Sequence, residues 1–173
     1  MTRNELALKI FETAHITGEF TLRSGMHSNE YFDKYRFESN PELLDAIAER
    51  MIPLLPVEFD YLAGLEMGGI PIVTAIALRC GKPAVFVRKK AKEYGTCLFA
   101  EGADVKGKKL VIIEDVITSA GQVVLSTRDL RNAGANIDTA LCVIDREAGG
   151  RANLEQSGVA LKALFTMSEL KEQ

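Results

Sequence analysis

Residues 109–122 run Lys-Leu-Val-Ile-Ile-Glu-Asp-Val-Ile-Thr-Ser-Ala-Gly-Gln. An apolar run, Leu110 to Ile113, ends in two adjacent carboxylates, Glu114 and Asp115. Two apolar residues follow, then a small turn carrying hydroxyls and a glycine, Thr118 to Gly121, and a helical pattern starts at Gln122. Continuous apolar runs of this length suit a strand buried on both faces of a parallel sheet. A small-residue turn between such a strand and a helix presents backbone N–H groups at the helix N-terminus, which is a phosphate cradle. The acids are the unusual part, because a plain phosphate loop avoids negative charge beside its anion. Acids next to such a cradle suggest a ligand that also offers hydroxyls or a bound cation, and a sugar phosphate fits.

The same alternation extends outward. Apolar strand patterns at 61–65, 83–87, 137–144 and 159–164 alternate with helical patterns at 68–80 and 122–133, the latter ended by Gly134. Before them, 4–15 and 41–55 have helical spacing, and 19–33 reads as a hairpin-like or loop segment around a polar turn. A short helix at 168–172 closes the chain. This order predicts an α/β fold with a mostly parallel central sheet flanked by helices, in one domain over 1–173. Ligands of such sheets bind outside the C-terminal strand ends. Four polar clusters fall there: 66–69, 88–92, 114–121 and 145–147.

Each cluster has an ordinary reading beside a functional one. Acids near a helix N-terminus are favoured by its dipole. A buried acid pair also needs partners, and sugar hydroxyls would supply them. The run Arg88-Lys89-Lys90-Ala91-Lys92 is a solvated charge stretch or the cationic part of a lid over a diphosphate, with about 90–106 as a flexible loop. Arg146 is either neutralised by Asp145 and Glu147 or free to grip a planar carboxylate. Gly68 and Gly69 serve either close packing or approach to a phosphate.

Composition excludes several classes. The chain has 173 residues, 47% hydrophobic and 26% charged, with a formal net charge of −3, so nothing global suggests nucleic-acid or anionic-membrane binding. Its apolar runs are too short to span a bilayer. The first residues show no apolar signal segment. Cys80, Cys97 and Cys142 are widely spaced and form no metal or disulfide pattern, which suits a cytoplasmic protein.

Residues 111–122 resemble the PRPP-binding signature of the type I phosphoribosyltransferases. A narrower resemblance, to the orotate phosphoribosyltransferases, rests on four further segments. These are Phe20-Thr21-Leu22-Arg23-Ser24-Gly25 with Tyr31-Phe32-Asp33, Gly64 to Pro71, Arg88 to Gly95, and Asp145-Arg146. The resemblance implies the type I fold with a small N-terminal hood, formed by about 1–35 and the C-terminal segment, and a flexible catalytic loop. It implies transfer of ribose 5-phosphate from PRPP to orotate, giving orotidine 5′-monophosphate and diphosphate in pyrimidine synthesis. PRPP would be held by Arg88, Lys89, Lys92, Tyr94, Glu114, Asp115, Val116, Ile117, Thr118, Ser119, Ala120, Gly121 and Gln122. Orotate would meet Thr118, Arg146 and Arg23, and Lys89, Lys92 and Asp115 would be catalytic. Mg²⁺ would be held mainly by PRPP and water, with no dedicated protein cage. The family implies a homodimer sharing lid residues across its interface. Arg23, Tyr94 and Ala120 depart from the residues usual in the family. A purine phosphoribosyltransferase and a non-catalytic PRPP sensor are the competing readings; the hood and Arg146 argue against the first, the lid cations against the second.

Overall fold

The computed structural model describes residues 1–21, 25–91 and 98–172. The chain begins with helix α1 (Arg3–Ala14), started by a reciprocal cap in which Glu5 N–H donates to Thr2 Oγ1 at 3.2 Å and Thr2 N–H donates to Glu5 Oε2 at 2.7 Å. Strands β1 (His15–Thr21) and β2 (His27–Phe32) pair antiparallel, the hairpin alternative of the sequence reading, with β1 beginning four residues earlier than expected. A short helix α2 (Tyr35–Glu38) follows, then α3 (Pro41–Met51), capped by the Asn40 side chain and opened by proline. The α/β part contains β3 (Tyr61–Leu65), α4 (Gly69–Cys80), β4 (Ala84–Val87), β5 (Ala100–Glu101) and β6 (Lys109–Ile117). It continues through α5 (Gly121–Asn132), β7 (Asn136–Asp145), α6 (Gly150–Gln156), β8 (Ala160–Thr166) and α7 (Met167–Lys171).

The main sheet has six strands in the order β5-β4-β3-β6-β7-β8, parallel except for the antiparallel β4–β5 pair. Its centre is apolar on both faces, and β6 shows why. Val111 and Ile113 join the core under α1, α3 and α4, while Leu110 and Ile112 join the core under α5 and α6. Alternate residues of a strand point to opposite faces, so burying both faces requires an unbroken apolar run. From β3 the chain steps outward to β4 on one side, then returns to β6, β7 and β8 on the other. Strand order therefore reverses between β3 and β6, and a crevice opens at that point beyond the strand ends.

The structure differs from expectation in several places. Strand β6 continues to Ile117, so Glu114 and Asp115 lie within it rather than past its end; its ladder to β7 runs on through Ile117↔Asp145. Residues 100–101, within the stretch expected as loop, belong to β5 and pair with Phe86 and Val87, and Ala100 and Val105 are buried. Helices α2 and α6 are too short for periodicity to reveal, at 4 and 7 residues.

Candidate active site

The cradle lies where β6 meets α5. Ala120 sits in the left-handed region at φ 61°, ψ 14°, and no side chain caps the helix after it. The first helical bond runs from Val124 N–H to Ala120 C=O at 2.9 Å. The N–H groups of Gly121, Gln122 and Val123 therefore have no partner within the helix, and they stand at its positive end. Thr118 and Ser119 are exposed beside them. The turn is braced from α6: Asn153 Nδ2 donates to Ser119 C=O at 2.9 Å. Gly150 packs so closely that a Cβ there would lie 2.4 Å from Thr118 O. Uncapped N–H groups on a braced turn, next to two hydroxyls, form an anion site that needs no side-chain cation.

The acid pair is held from behind. Asp115 is fully buried; its Oδ1 accepts from Val116 N–H, and its Oδ2 pairs with Lys34 Nζ. Burial works against the Lys34 charge, but the Asp115 partner outweighs it and leaves the ammonium above its usual value. Glu114 is pushed well above the carboxylate range, by burial first and then by Asp115. Its Oε2 has no hydrogen-bond partner among the described residues. A third acid, Glu38 at the end of α2, is buried beside Asp115, and its carboxyl is raised to about 8, chiefly by burial and then by Asp115. The structure thus places Asp115 behind Lys34, facing Gly68, rather than open on the crevice.

The cationic stretch leaves β4 at the next strand end. Glu66 N–H donates to Val87 C=O at 2.9 Å, and Glu66 Oε1 accepts from Lys89 N–H at 2.6 Å. These bonds join the turn before α4 to the start of the cationic stretch, and the Glu66–Met67 peptide is cis. Arg88 is half-buried, its N–H donating to Phe99 C=O at 2.9 Å, while Lys89 and Lys90 are exposed. Arg23, Lys92 and Tyr94 lie outside the described residues.

Arg146 follows β7, anchored by a bond from its N–H to Ile117 C=O at 2.8 Å. Neither neighbouring acid neutralises it. Asp145 pairs with Arg151 at 3.2 Å, and Glu147 accepts from Ser168 Oγ at 2.6 Å and Ser168 N–H at 2.9 Å. Arg146 instead lines a cavity of about 270 Å³ with His15, Glu30, Tyr31, Phe32 and Lys171. Glu30 is held below its usual value by His15, which it meets at 2.9 Å, then by Lys171 and Arg146. Three basic side chains face one carboxylate there, so the cavity favours an anion. The hood strands, α7 and the end of β7 meet at it.

The fold brings 114–122, Gly68, Gly69, Arg88, Lys89 and Arg146 to one end of the sheet. Sequence reasoning missed Lys34 and Glu38. The signal was faint: Asp33 closes the recognised hood pattern, and Lys34 is the next residue.

This fold and this site define a class. The phosphoribosyl transferase domain family matches residues 36–157. The orotate phosphoribosyltransferase of Nocardioides sp. is 50% identical over 165 residues, covering 95% of this chain and 92% of that one. That of Methanocella arvoryzae is 45% identical over 153 residues, covering 88% and 87%. A Mycobacterium tuberculosis orotate phosphoribosyltransferase, solved with Fe(III) dicitrate, superposes with a TM-score of 0.88 at 27% identity, covering 97% of this chain and 98% of that one. The chain belongs to the phosphoribosyltransferase family, and within it to the orotate phosphoribosyltransferases, which are pentosyltransferases by class.

Proposed function

We propose that the chain transfers ribose 5-phosphate from PRPP to orotate, with Mg²⁺, giving orotidine 5′-monophosphate and diphosphate, as a step of de novo pyrimidine synthesis in the cytoplasm. The observation that carries this reading is the uncapped N-terminus of α5, placed beside a buried acid pair at the switch point of the sheet. The N–H groups of 121–123 and the Thr118 and Ser119 hydroxyls take the 5′-phosphate. Glu114 and Asp115 serve the ribose hydroxyls, with Lys34 pairing Asp115 from behind. The Arg146 cavity takes the orotate carboxylate. No helix is long and apolar enough to cross a membrane among the described residues.

The reaction asks little covalent work of the protein. As diphosphate leaves C1, positive charge grows on the ribose and negative charge on the leaving oxygens, and the orotate nitrogen closes on C1. Positioning the two partners and stabilising those charges are the protein's share. Arg88, Lys89 and Lys92 are assigned to the diphosphate, with the lid residues shared across the dimer. Mg²⁺ would be held mainly by PRPP and water rather than by a dedicated protein cage, as a hard cation that keeps its waters. When bound, it spreads the leaving group's charge. The working unit is one domain over 1–173, paired as a homodimer so that Lys89 reaches the neighbouring site.

Following orotate by its absorbance, with PRPP and Mg²⁺ present, tests the reading. Orotate should be consumed, and adenine and uracil should not be. Consumption of adenine with orotate untouched would reassign the substrate.

A further inference from the structure

The acid cluster behind the ribose end contains a carboxyl that the reaction above does not use. Glu38 is 4% exposed, and neither of its oxygens meets a hydrogen-bond donor among the described residues. A buried carboxylate in that state is strongly disfavoured, whereas a neutral carboxylic acid brings its own donor. Its neighbour can use one. A Cβ on Gly68 would lie 1.5 Å from Asp115 Oδ2 and 3.0 Å from Glu38 Oε1, so both oxygens crowd the same side of Gly68 and face each other. Two carboxyls so placed do not both ionise readily. The other charged groups facing them are Asp33 and Lys34 from the segment before α2, and Glu114 from β6.

We propose that Glu38 is a positioning residue of the phosphoribosyl site: as the neutral acid it donates a hydrogen bond to Asp115, holding that carboxylate against Lys34 and Gly68. This rests on the phosphoribosyl reading. It also gives the cluster its charge balance. Lys34 answers Asp115, and Glu38 and Glu114 add nothing while they keep their protons. A substrate carrying several negative phosphate oxygens then approaches a cluster less negative than its number of carboxyls implies. Ionising Glu38 breaks the bond to Asp115 and adds a negative charge close behind the ribose. The raised carboxyl of Glu38, at about 8, agrees with this arrangement.

The test uses the full chain and three proteins. In the wild type, kcat/KM for PRPP should fall on the alkaline side as Glu38 ionises. Glu38→Gln keeps a donor without a proton to lose; it should match the wild type at neutral pH within about threefold and lack that alkaline limb. Glu38→Leu removes the donor and should raise the KM for PRPP about tenfold or more, with a smaller change in kcat. ¹³C NMR of the glutamate carboxyls gives a readout independent of turnover: one signal should titrate near pH 8 in the wild type and be missing from Glu38→Gln. An alkaline limb unchanged in Glu38→Gln would overturn the proposal, as would the absence of any glutamate titrating in the alkaline range. If Glu38→Leu fails to fold, the comparison of Glu38→Gln with the wild type still decides. A wild-type protein that ignores PRPP, yet shows the Glu38 titration, would overturn the functional reading and with it the role given to Glu38.

Discussion

Replacing Gly68 by alanine should cost about 3–5 kcal/mol, the range for breaking a buried ion pair. The backbone is not the reason: Gly68 has φ −68° and ψ −29°, which any residue adopts. The added methyl is. It would lie 1.5 Å from Asp115 Oδ2 and 2.4 Å from Asp115 Cγ, far inside van der Waals contact. Asp115 cannot yield cheaply, because it is fully buried, bonded to its own strand through Val116 N–H and paired with Lys34. Turning it away leaves Lys34 and Asp115 apart in a poorly solvated place. For a chain of this length each kcal/mol lowers Tm by about 2–4 °C, so Gly68→Ala should melt roughly 6–20 °C below the wild type. Thermal unfolding by circular dichroism measures this, and the KM for PRPP should rise in whatever protein folds. A Tm within about 2 °C of the wild type would mean that Asp115 has room to move, and the packing argument would fail.

Three other substitutions probe separate parts of the account. Ala120→Gly relieves a left-handed residue worth about 1–2 kcal/mol but loses a buried methyl and stiffens nothing, so its stability in urea should stay within about 1 kcal/mol of the wild type. Ala120→Val, with a β-branched side chain in that conformation, should lose about 2 kcal/mol or more. Arg146→Ala should raise the KM for orotate roughly ten- to hundredfold through loss of a charge-assisted bond, while the KM for PRPP moves little; equal changes in both would remove Arg146 from the orotate pocket. The pH dependence of stability follows from Glu38, whose carboxyl is raised from 4.5 unfolded to about 8 folded. The folded state therefore holds the extra proton between these values. Glu38's contribution is fully present below the lower value and is lost as pH rises to the upper one, at no more than ~1.4 kcal/mol per pH unit. Glu38→Gln should flatten that decline in urea titrations at successive pH values, and an undiminished slope would show that Glu38 is not its source.

The elements that were legible in the sequence are those whose burial writes a pattern. Strand β3 and helix α4 stand where the apolar spacing puts them, because both pack into the sheet's cores. The phosphate turn was legible for a related reason: small residues between a buried strand and a helix leave few other conformations. Ala120 was legible only as a departure from the residue usual in the family, and it takes positive φ. Strand β6 was read short because its last residues include two acids. Charge ends an apolar run in sequence, but here the ladder with β7 carries the backbone on while Lys34 and Glu38 receive Asp115. Those partners come from 77 and 81 positions earlier, on a segment too short to show periodicity, so only the folded chain brings them together. Arg146 was ambiguous for the same reason. Its release from Asp145 and Glu147 depends on Arg151 and Ser168, and adjacency in sequence says nothing about either.

A crystal structure of the protein with PRPP and orotate bound tests the central claim most directly. The 5′-phosphate should lie on the N–H groups at the start of α5, beside Thr118 and Ser119, with the orotate carboxylate on Arg146. A 5′-phosphate seated on the cations of 88–90 instead, with the start of α5 left to solvent, would contradict the account.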